Sequence, residues 1–533
     1  MLLLPSLDAV SAASTVTACL ASLVLLVTVV QQLWRLRWAA GRDKSSALPL
    51  PKGSMGFPVV GETFHWMVQG SRFHASRRER YGNVFKTHLL GRPVVRVTGA
   101  ENVRRVLMGE HALVSSQWPL STRLLLGANS LGMSVGDAHR NKRKVMAQVF
   151  SHAALEGYLP QVQQMVRAAV SRWRDCPGVV TVYPECKTLT FRVALHVVVS
   201  SRIASHEEAL LADAFEQFVE NFFSLPLDVP FSGLRKGLKA RKVLHGYLDK
   251  LLRDKRERPE LKESQDAMDI LISSAKEHGK EMSMLELKEA AVELIFAAHA
   301  TTASASTSLV LQLLKHPDAL ARLRRELADA GLGGGGGSGG SGGVAAEAGT
   351  SEGPLLTLGR LVGLRYLDCV VKEVLRLLPP VSGGYRTALK TFELEGCQIP
   401  KGWSVLYSIR DTHETAPAFS SPLDFDPDRF GATRAEDSKE RFSYLPFGGG
   451  VRSCLGKELA KLILKVLAVE LAGGCTWELA SAEYPRMQTV PIVHPVDGLH
   501  VRFKALPADE GVEKKPLAAA AAVQESGGDA ERE

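Results

Sequence analysis

Cysteine is sparse in this chain and shows no pairing. Seven occur in 533 residues, at Cys19, Cys176, Cys186, Cys369, Cys397, Cys454 and Cys475, and no two form a CxxC pair. That spacing argues against a disulfide framework and against a thiolate zinc site, and it places the globular part in a reducing compartment. Charge of either sign is missing from Ala9 to Val30, a run of 22 residues. No internal repeat is visible. The formal charge of +8, from 65 basic and 57 acidic residues, is spread along the chain rather than gathered into a stripe. No nucleic-acid partner is therefore expected, although a mildly basic surface suits an anionic membrane or an acidic redox partner. An apolar fraction of 45% with 23% charged residues is that of a globular protein with a substantial core.

The uncharged run is long enough to cross a bilayer as a helix. Trp34 and Trp38 follow where a membrane interface belongs, with Arg35, Arg37, Arg42 and Lys44 around and beyond them. No Lys or Arg precedes the run, which puts the N-terminus in the lumen and the rest in the cytosol. A cleaved signal is disfavoured, because there is no basic n-region and the run is long for an h-region. Residues 9–33 are thus read as a single-pass, uncleaved membrane anchor. Leu48-Pro49-Leu50-Pro51-Lys52-Gly53 then reads as a stiff hinge, ahead of a globular domain over 48–506. Phe64–Tyr81 reads as one amphipathic helical stretch, and Val84–His88 with Val94–Val97 as a hairpin around Gly91-Arg92-Pro93. After Glu101 the pattern is mostly helical. The segment 331–354 is a Gly/Ser-rich insert and 507–533 a polar, Ala-rich tail, neither able to bury enough apolar surface to order itself.

Four stretches carry chemistry. Phe447-Gly448-Gly449-Gly450-Val451-Arg452-Ser453-Cys454-Leu455-Gly456 sets a cysteine in a glycine-rich turn just before an apolar helical run. A helix N-terminus favours a thiolate, and a thiolate in such a loop suits an axial ligand of haem iron. Glu373 and Arg376 lie three apart in an apolar helix, so a buried pair is expected there. Ser283-Met284-Leu285-Glu286 is a capping box opening a long helix to about Lys315, with a small, apolar centre at Phe296-Ala297-Ala298-His299-Ala300-Thr301-Thr302. Asp137–Arg143 is a basic helical segment.

Together these stretches resemble the cytochrome P450 superfamily, whose fold is mainly α with small β-sheets. The resemblance implies haem with Cys454 as axial thiolate, and Phe447, Arg452 and Gly456 as further haem contacts. It implies that His139 (in place of the usual Trp), Arg143 and Arg386 meet the haem propionates. It joins Arg429, from Phe425-Asp426-Pro427-Asp428-Arg429-Phe430, to Glu373 and Arg376 in a structural trio. It places Thr301 at the catalytic alcohol position, while Ala300 occupies the position where an acid is usual. Water held by Thr301 or His299 is the expected substitute for that acid.

A finer resemblance, to the vertebrate retinoic acid hydroxylases and most to their C-type member, rests on Leu50–Pro58, Gly91–Pro93, Ser224–Leu234, Thr391–Leu394 and Gln398–Trp403. Gly383–Thr387 and Pro491–Val496 add to it. It implies a retinoic acid pocket of Trp118, Phe223, Phe296, Ala297, Thr301, Val381, Ser382 and Gly383, with Arg123 a candidate for the substrate carboxylate. It also implies electrons from an NADPH-cytochrome P450 reductase, and no metal other than haem iron. The competing readings are a membrane hydroxylase of sterols or other lipids, and a haem-bound retinoid-binding protein without efficient turnover.

Overall fold

The computed structural model describes residues 7–199, 203–257, 265–279, 281–333 and 354–506. Most of the glycine-rich insert, and the tail from 507, lie outside the described residues.

Helix α1 (Leu7–Ala40) contains the uncharged run. Within Ser14–Ala40 the most apolar 18-residue stretch has a mean hydropathy of 2.0, and none of it is buried. Beyond that stretch the helix docks on the domain. The Trp34 indole N–H donates to the Met55 carbonyl at 3.3 Å, and Trp34 stands edge-on to Trp38 and His88. Trp38 in turn meets Trp403 at 6.0 Å. The tryptophans expected at a membrane interface also pin the helix to the folded domain. The proline segment is likewise held against the domain. Buried Gln398 takes the Asp43 N–H at 2.8 Å and gives its side-chain amide to the Leu48 carbonyl. The Lys86 ammonium holds the Pro51 carbonyl at 2.6 Å.

The stretch Phe64–Tyr81 is two helices, α2 (Thr63–Gln69) and α3 (Ser71–Tyr81), broken at Gly70 where φ is 55° and ψ −125°. That left-handed φ is open to glycine and costly for other residues. The hairpin forms as β1 (Val84–Leu89) and β2 (Arg92–Val97), in register from Val84↔Val97 to Leu89↔Arg92. Next come α4 (Ala100–Met108), β3 (Val114–Ser116), α5 (Leu120–Leu126), α6 (Gly136–Ala147), α7 (His152–Asp175) and β4 (Val180–Thr181). The helical body adds α8 (Val182–Val199), α9 (Ser205–Glu220), α10 (Gly233–Glu257), α11 (Ala267–Glu277), α12 (Met284–Lys315) and α13 (Pro317–Asp329). After the insert follow α14 (Leu358–Gly363), α15 (Arg365–Leu377), β5 (Gly383–Ala388), β6 (Phe392–Leu394), β7 (Cys397–Ile399), β8 (Ser404–Ser408), α16 (Arg410–Thr415), α17 (Glu436–Lys439) and α18 (Lys457–Gly474).

One five-stranded sheet, in the order β1-β2-β8-β5-β3, carries the pieces that reach the site. β3 and β5 pair antiparallel with Ser116 opposite Arg386. The helical core gathers α7, α8, α12, α15 and α18, with Val166, Val193, Leu309, Val370 and Leu467 all fully buried. The capping box closes at the start of α12: the Ser283 hydroxyl accepts the Glu286 N–H at 3.2 Å, and the Glu286 carboxylate accepts the Ser283 N–H at 3.0 Å. Ala303, Ser304, Ser306 and Thr307 are wholly or almost wholly buried, and such small side chains let α8 pack closely along the helix.

Two buried histidines give the fold a pH dependence. His413 on α16 accepts the Leu445 N–H at Nε2 (2.8 Å), so its Nδ1 carries the proton and donates to the Arg376 carbonyl at 2.9 Å. Burial brings its pKa down to about 4, and the same cause brings His299 to about 4. Unfolded, both titrate near pH 6.5. Between those values the unfolded chain binds more protons, so stability falls as the pH falls through that window. Each histidine contributes up to about 1.4 kcal/mol per pH unit. Thermal unfolding followed from about pH 7 down to about pH 4.5 should show the decline; a flat profile contradicts it.

Candidate active site

The Cys454 loop is shaped by two left-handed glycines. Gly448 and Gly450 both have φ of 66°, and the Cys454 N–H donates to the Phe447 carbonyl at 2.9 Å, closing the turn. A Cβ on Gly450 would lie 2.4 Å from the Leu107 carbonyl oxygen, whereas one on Gly448 meets nothing within 4 Å. Gly448→Ala is therefore expected to cost only the left-handed strain, about 1–2 kcal/mol. Gly450→Ala must also displace the backbone of α4, and should cost at least about 2 kcal/mol more together with loss of cofactor loading. Unfolding midpoints and bound-haem absorbance of the two variants check this; equal effects contradict it. Phe447 packs on the main core, and Gly456 caps α18 in contact with Phe150.

Helix α18 starts at Lys457, three residues after the cysteine. Protein surrounds Cys454 on most sides, yet its side chain keeps an accessible face. Burial pushes its thiol pKa above the usual value, against the opposing pull of the Gly456 N–H, Arg143 and Lys457. The helix-end N–H and the nearby positive charge pull toward the thiolate as expected, but desolvation outweighs them. Metal coordination is what deprotonates such a thiol.

Basic side chains from three parts of the chain converge beside this loop. Arg143 on α6 donates to the Ser453 carbonyl at 2.6 Å and to its hydroxyl at 3.1 Å. Arg386 on β5 and Arg452 in the loop both meet Glu110, at 2.8 and 2.6 Å. His139 on α6 is buried against His111, with ring centres 5.3 Å apart, and burial lowers its pKa to about 4. Among the described residues, His139 Nδ1 and His111 Nε2 are buried nitrogens without a partner. Orphaned buried donors are rare in a finished structure. Here they mark a place where an anionic group fits, beside guanidinium groups suited to carboxylates.

The trio meets in full. Glu373, Arg376 and Arg429 have fully buried side chains. Arg376 Nε lies 2.6 Å from Glu373 Oε2 and Arg429 Nε 3.0 Å from Oε1. Sequence reading missed the fourth member: Glu436 on α17 takes Arg429 at 2.9 Å and Arg434 at 2.8 Å. Arg376 and Arg429 also hold the carbonyls of Ser420, Pro422 and Asp424, fixing the meander before the Cys loop.

On α12, Ala297 is exposed and Thr301 half-buried although the surrounding helix is core. These two share a face, and the Thr301 hydroxyl donates to the Ala297 carbonyl at 2.6 Å. His299 lies elsewhere. It is buried edge-on to Phe191 and Phe215, 6.3 and 5.1 Å away. Two residues are about 200° around a helix, so His299 turns away from Thr301 into the α8–α9 packing. The expectation that it holds a relay water is corrected.

Phe296 stacks on Phe222 at 4.0 Å, and Phe222 meets Trp118 at 6.5 Å. Phe223 is more than half exposed and touches the cluster only edge-on through Phe222. Phe222, which sequence reading did not single out, is the buried member of the pair and the one that stacks on Phe296. Pro380, just ahead of Val381, Ser382 and Gly383, is tied to α12 through Val493: the Val493 N–H donates to the Pro380 carbonyl at 3.0 Å, and the Ser304 hydroxyl donates to the Val493 carbonyl. Arg123 is exposed on α5 and makes no ion pair among the described residues. Also unforeseen are Glu289 and Glu293 of α12, which grip the loop before α6. Their carboxylates accept the N–H groups of Asn129, Leu131 and Gly132 at 2.6–2.9 Å.

The profile of the Cytochrome P450 family matches residues 51–497. The chain belongs to the cytochrome P450 family. As members of that family do, it binds haem through a cysteine thiolate and works as a monooxygenase with electrons from a reductase. Cytochrome P450 26C1 of Homo sapiens is 59% identical over 515 residues, covering 94% of this chain and 97% of the relative. Cytochrome P450 26B1 of Homo sapiens is 58% identical over 509 residues, covering 96% and 97%. Among solved structures, one titled "Retinoic acid bound cyanobacterial CYP120A1" aligns with a TM-score of 0.76 and 33% identity. It covers 86% of this chain and the whole of that one. The residues around the Cys454 loop suit this P450 haem: one accessible sulfur, three arginines, and orphaned nitrogens for carboxylates.

Proposed function

We propose that this P450 hydroxylates retinoic acid, all-trans and 9-cis, on its ring and so inactivates it. Two similarities support the substrate class, the near-full-length identity to the 26B1 and 26C1 relatives and the likeness to a P450 solved with retinoic acid. The observation that carries the reading is the aromatic wall of Trp118, Phe222 and Phe296 beside the accessible face of Ala297 and Thr301. Flat aromatic surfaces give a polyene large contact area with few polar atoms.

Haem, held by Cys454, supplies the oxygen-activating chemistry. Arg143, Arg386, Arg452 and His139 are assigned to the propionates, the arginines through charge-assisted hydrogen bonds. Phe447 and Gly456 frame the ligand loop. Thr301 is assigned to proton delivery: its hydroxyl, now on the Ala297 carbonyl, is the polar group on the accessible face of α12. Val381, Ser382 and Gly383 supply the opposing backbone wall, and Phe223 lies at the mouth.

The endoplasmic reticulum membrane is the proposed location, with α1 as anchor. Exposed Phe57, Val59, Phe64, Met67 and Val68 form an apolar patch just beyond the docked end of α1, suited to a lipid surface. Spectral titration separates the retinoid reading from the sterol reading. Retinoic acid should perturb the haem band saturably at a concentration where sterols leave it unchanged; the reverse preference contradicts the proposal.

A further inference from the structure

Glu110 belongs to none of the motifs, yet it joins two residues that the resemblance assigns to the haem, Arg386 and Arg452. It lies on the turn between α4 and β3, and its side chain is 1% exposed. Arg386 Nε reaches its Oε2 at 2.8 Å and Arg452 Nε its Oε1 at 2.6 Å. The Ser116 N–H adds a third donor at 3.1 Å. This is a built arrangement, since the β3–β5 register places Ser116 opposite Arg386. Both arginines are further fixed by carbonyls: Arg452 Nη2 by Ser134 at 2.6 Å, and Arg386 Nη1 by Tyr385 at 2.9 Å. Arg386 also lies 5.2 Å over the Tyr407 ring.

One carboxylate thus serves two guanidinium groups. A buried cation without a partner is costly, so removing that carboxylate leaves two guanidinium groups under-compensated at one point. Resting on the haem assignment above, we propose that Glu110 is a positioning residue for the cofactor. By taking the Nε edge of both arginines it leaves to the propionates those N–H groups that the Ser134 and Tyr385 carbonyls do not hold. By offsetting one of their two positive charges it also holds down the reduction potential. Ferric haem gains an electron on reduction, so each uncompensated cation nearby favours the reduced form, an effect that low dielectric strengthens.

The test is a redox titration of the full-length haem-loaded chain and of Glu110→Gln and Glu110→Asp, with the ferrous–CO spectrum of each as the check of loading. The expected result is an upward shift of the ferric/ferrous midpoint in Glu110→Gln and a midpoint near the parent's in Glu110→Asp, which keeps the charge. No shift or a downward shift in Glu110→Gln overturns the proposal, as does an equal shift in both variants. If Glu110→Gln fails to load haem, loading becomes the readout: normal loading of Glu110→Asp supports the proposal, and failure of both marks a packing residue and overturns it. A parent chain without the thiolate-type CO band overturns the haem assignment itself.

Discussion

In Cys454→Ser, the red-shifted band that reduced members of this family show with CO is expected to disappear, and NADPH-dependent turnover with it. The substitution is small where it matters for the fold. The Cys454 N–H keeps its bond to the Phe447 carbonyl, since that contact is backbone to backbone. The side chain has an accessible face, so a hydroxyl there creates neither a cavity nor a buried unsatisfied group. Stability of the haem-free chain should change by less than about 1 kcal/mol. What is lost is the soft, electron-rich donor that favours O–O cleavage. Retention of the thiolate-type band in Cys454→Ser would sink the assignment of the ligand.

The second large effect is expected at Glu373. Its carboxylate receives Arg376 twice, at 2.6 and 3.0 Å, Arg429 at 3.0 Å and the Asp426 N–H at 2.8 Å. Glu373→Ala leaves two fully buried guanidinium groups with too little negative charge. Breaking a buried pair in this way costs about 3–5 kcal/mol. That is a large fraction of a typical domain's margin, so most of the chain should accumulate without haem. Asp428→Ala is the control. Its partner Arg322 lies 2.8 Å away, but both side chains are about half exposed, and such a pair contributes about 0–1 kcal/mol. Unfolding midpoints of both variants decide the matter; similar losses contradict the account. Glu436 carries the argument further. Its carboxyl is held down to about 2, the Arg434 and Arg429 contacts outweighing desolvation, so its share of stability is lost as the pH falls below about 4.5.

What could be read from the chain were features written in adjacent residues. The Cys loop, the capping box at Ser283 and the i,i+3 pair of Glu373 and Arg376 each depend on spacing within one element. The Gly70 break and the hairpin turn at Leu90 and Gly91 are local too, though only the second was marked in advance, by Gly91-Arg92-Pro93. The sequence was silent where partners are far apart. Glu110 lies 276 residues from Arg386 and 342 from Arg452. Gln398 clasps Asp43 and Leu48 some 350 residues away. Nothing near Glu110 or Gln398 in the chain hints at these contacts. His299 misled for a different reason. Two residues from Thr301 it looks adjacent, but the helix turns it onto Phe215. Phe222 and Phe223 pose the same difficulty, since neighbouring residues of one type differ only in the direction each faces.

The central claim joins the Cys454 loop to the aromatic wall beside Thr301, and incubation with substrate tests it most directly. The full-length chain in microsomes is given all-trans- or 9-cis-retinoic acid, with and without NADPH, and products are followed by mass. The account predicts an NADPH-dependent product heavier by one oxygen, formed although Ala300 stands where an acid is usual. No oxygenated product, from a chain whose CO spectrum is normal, would contradict it.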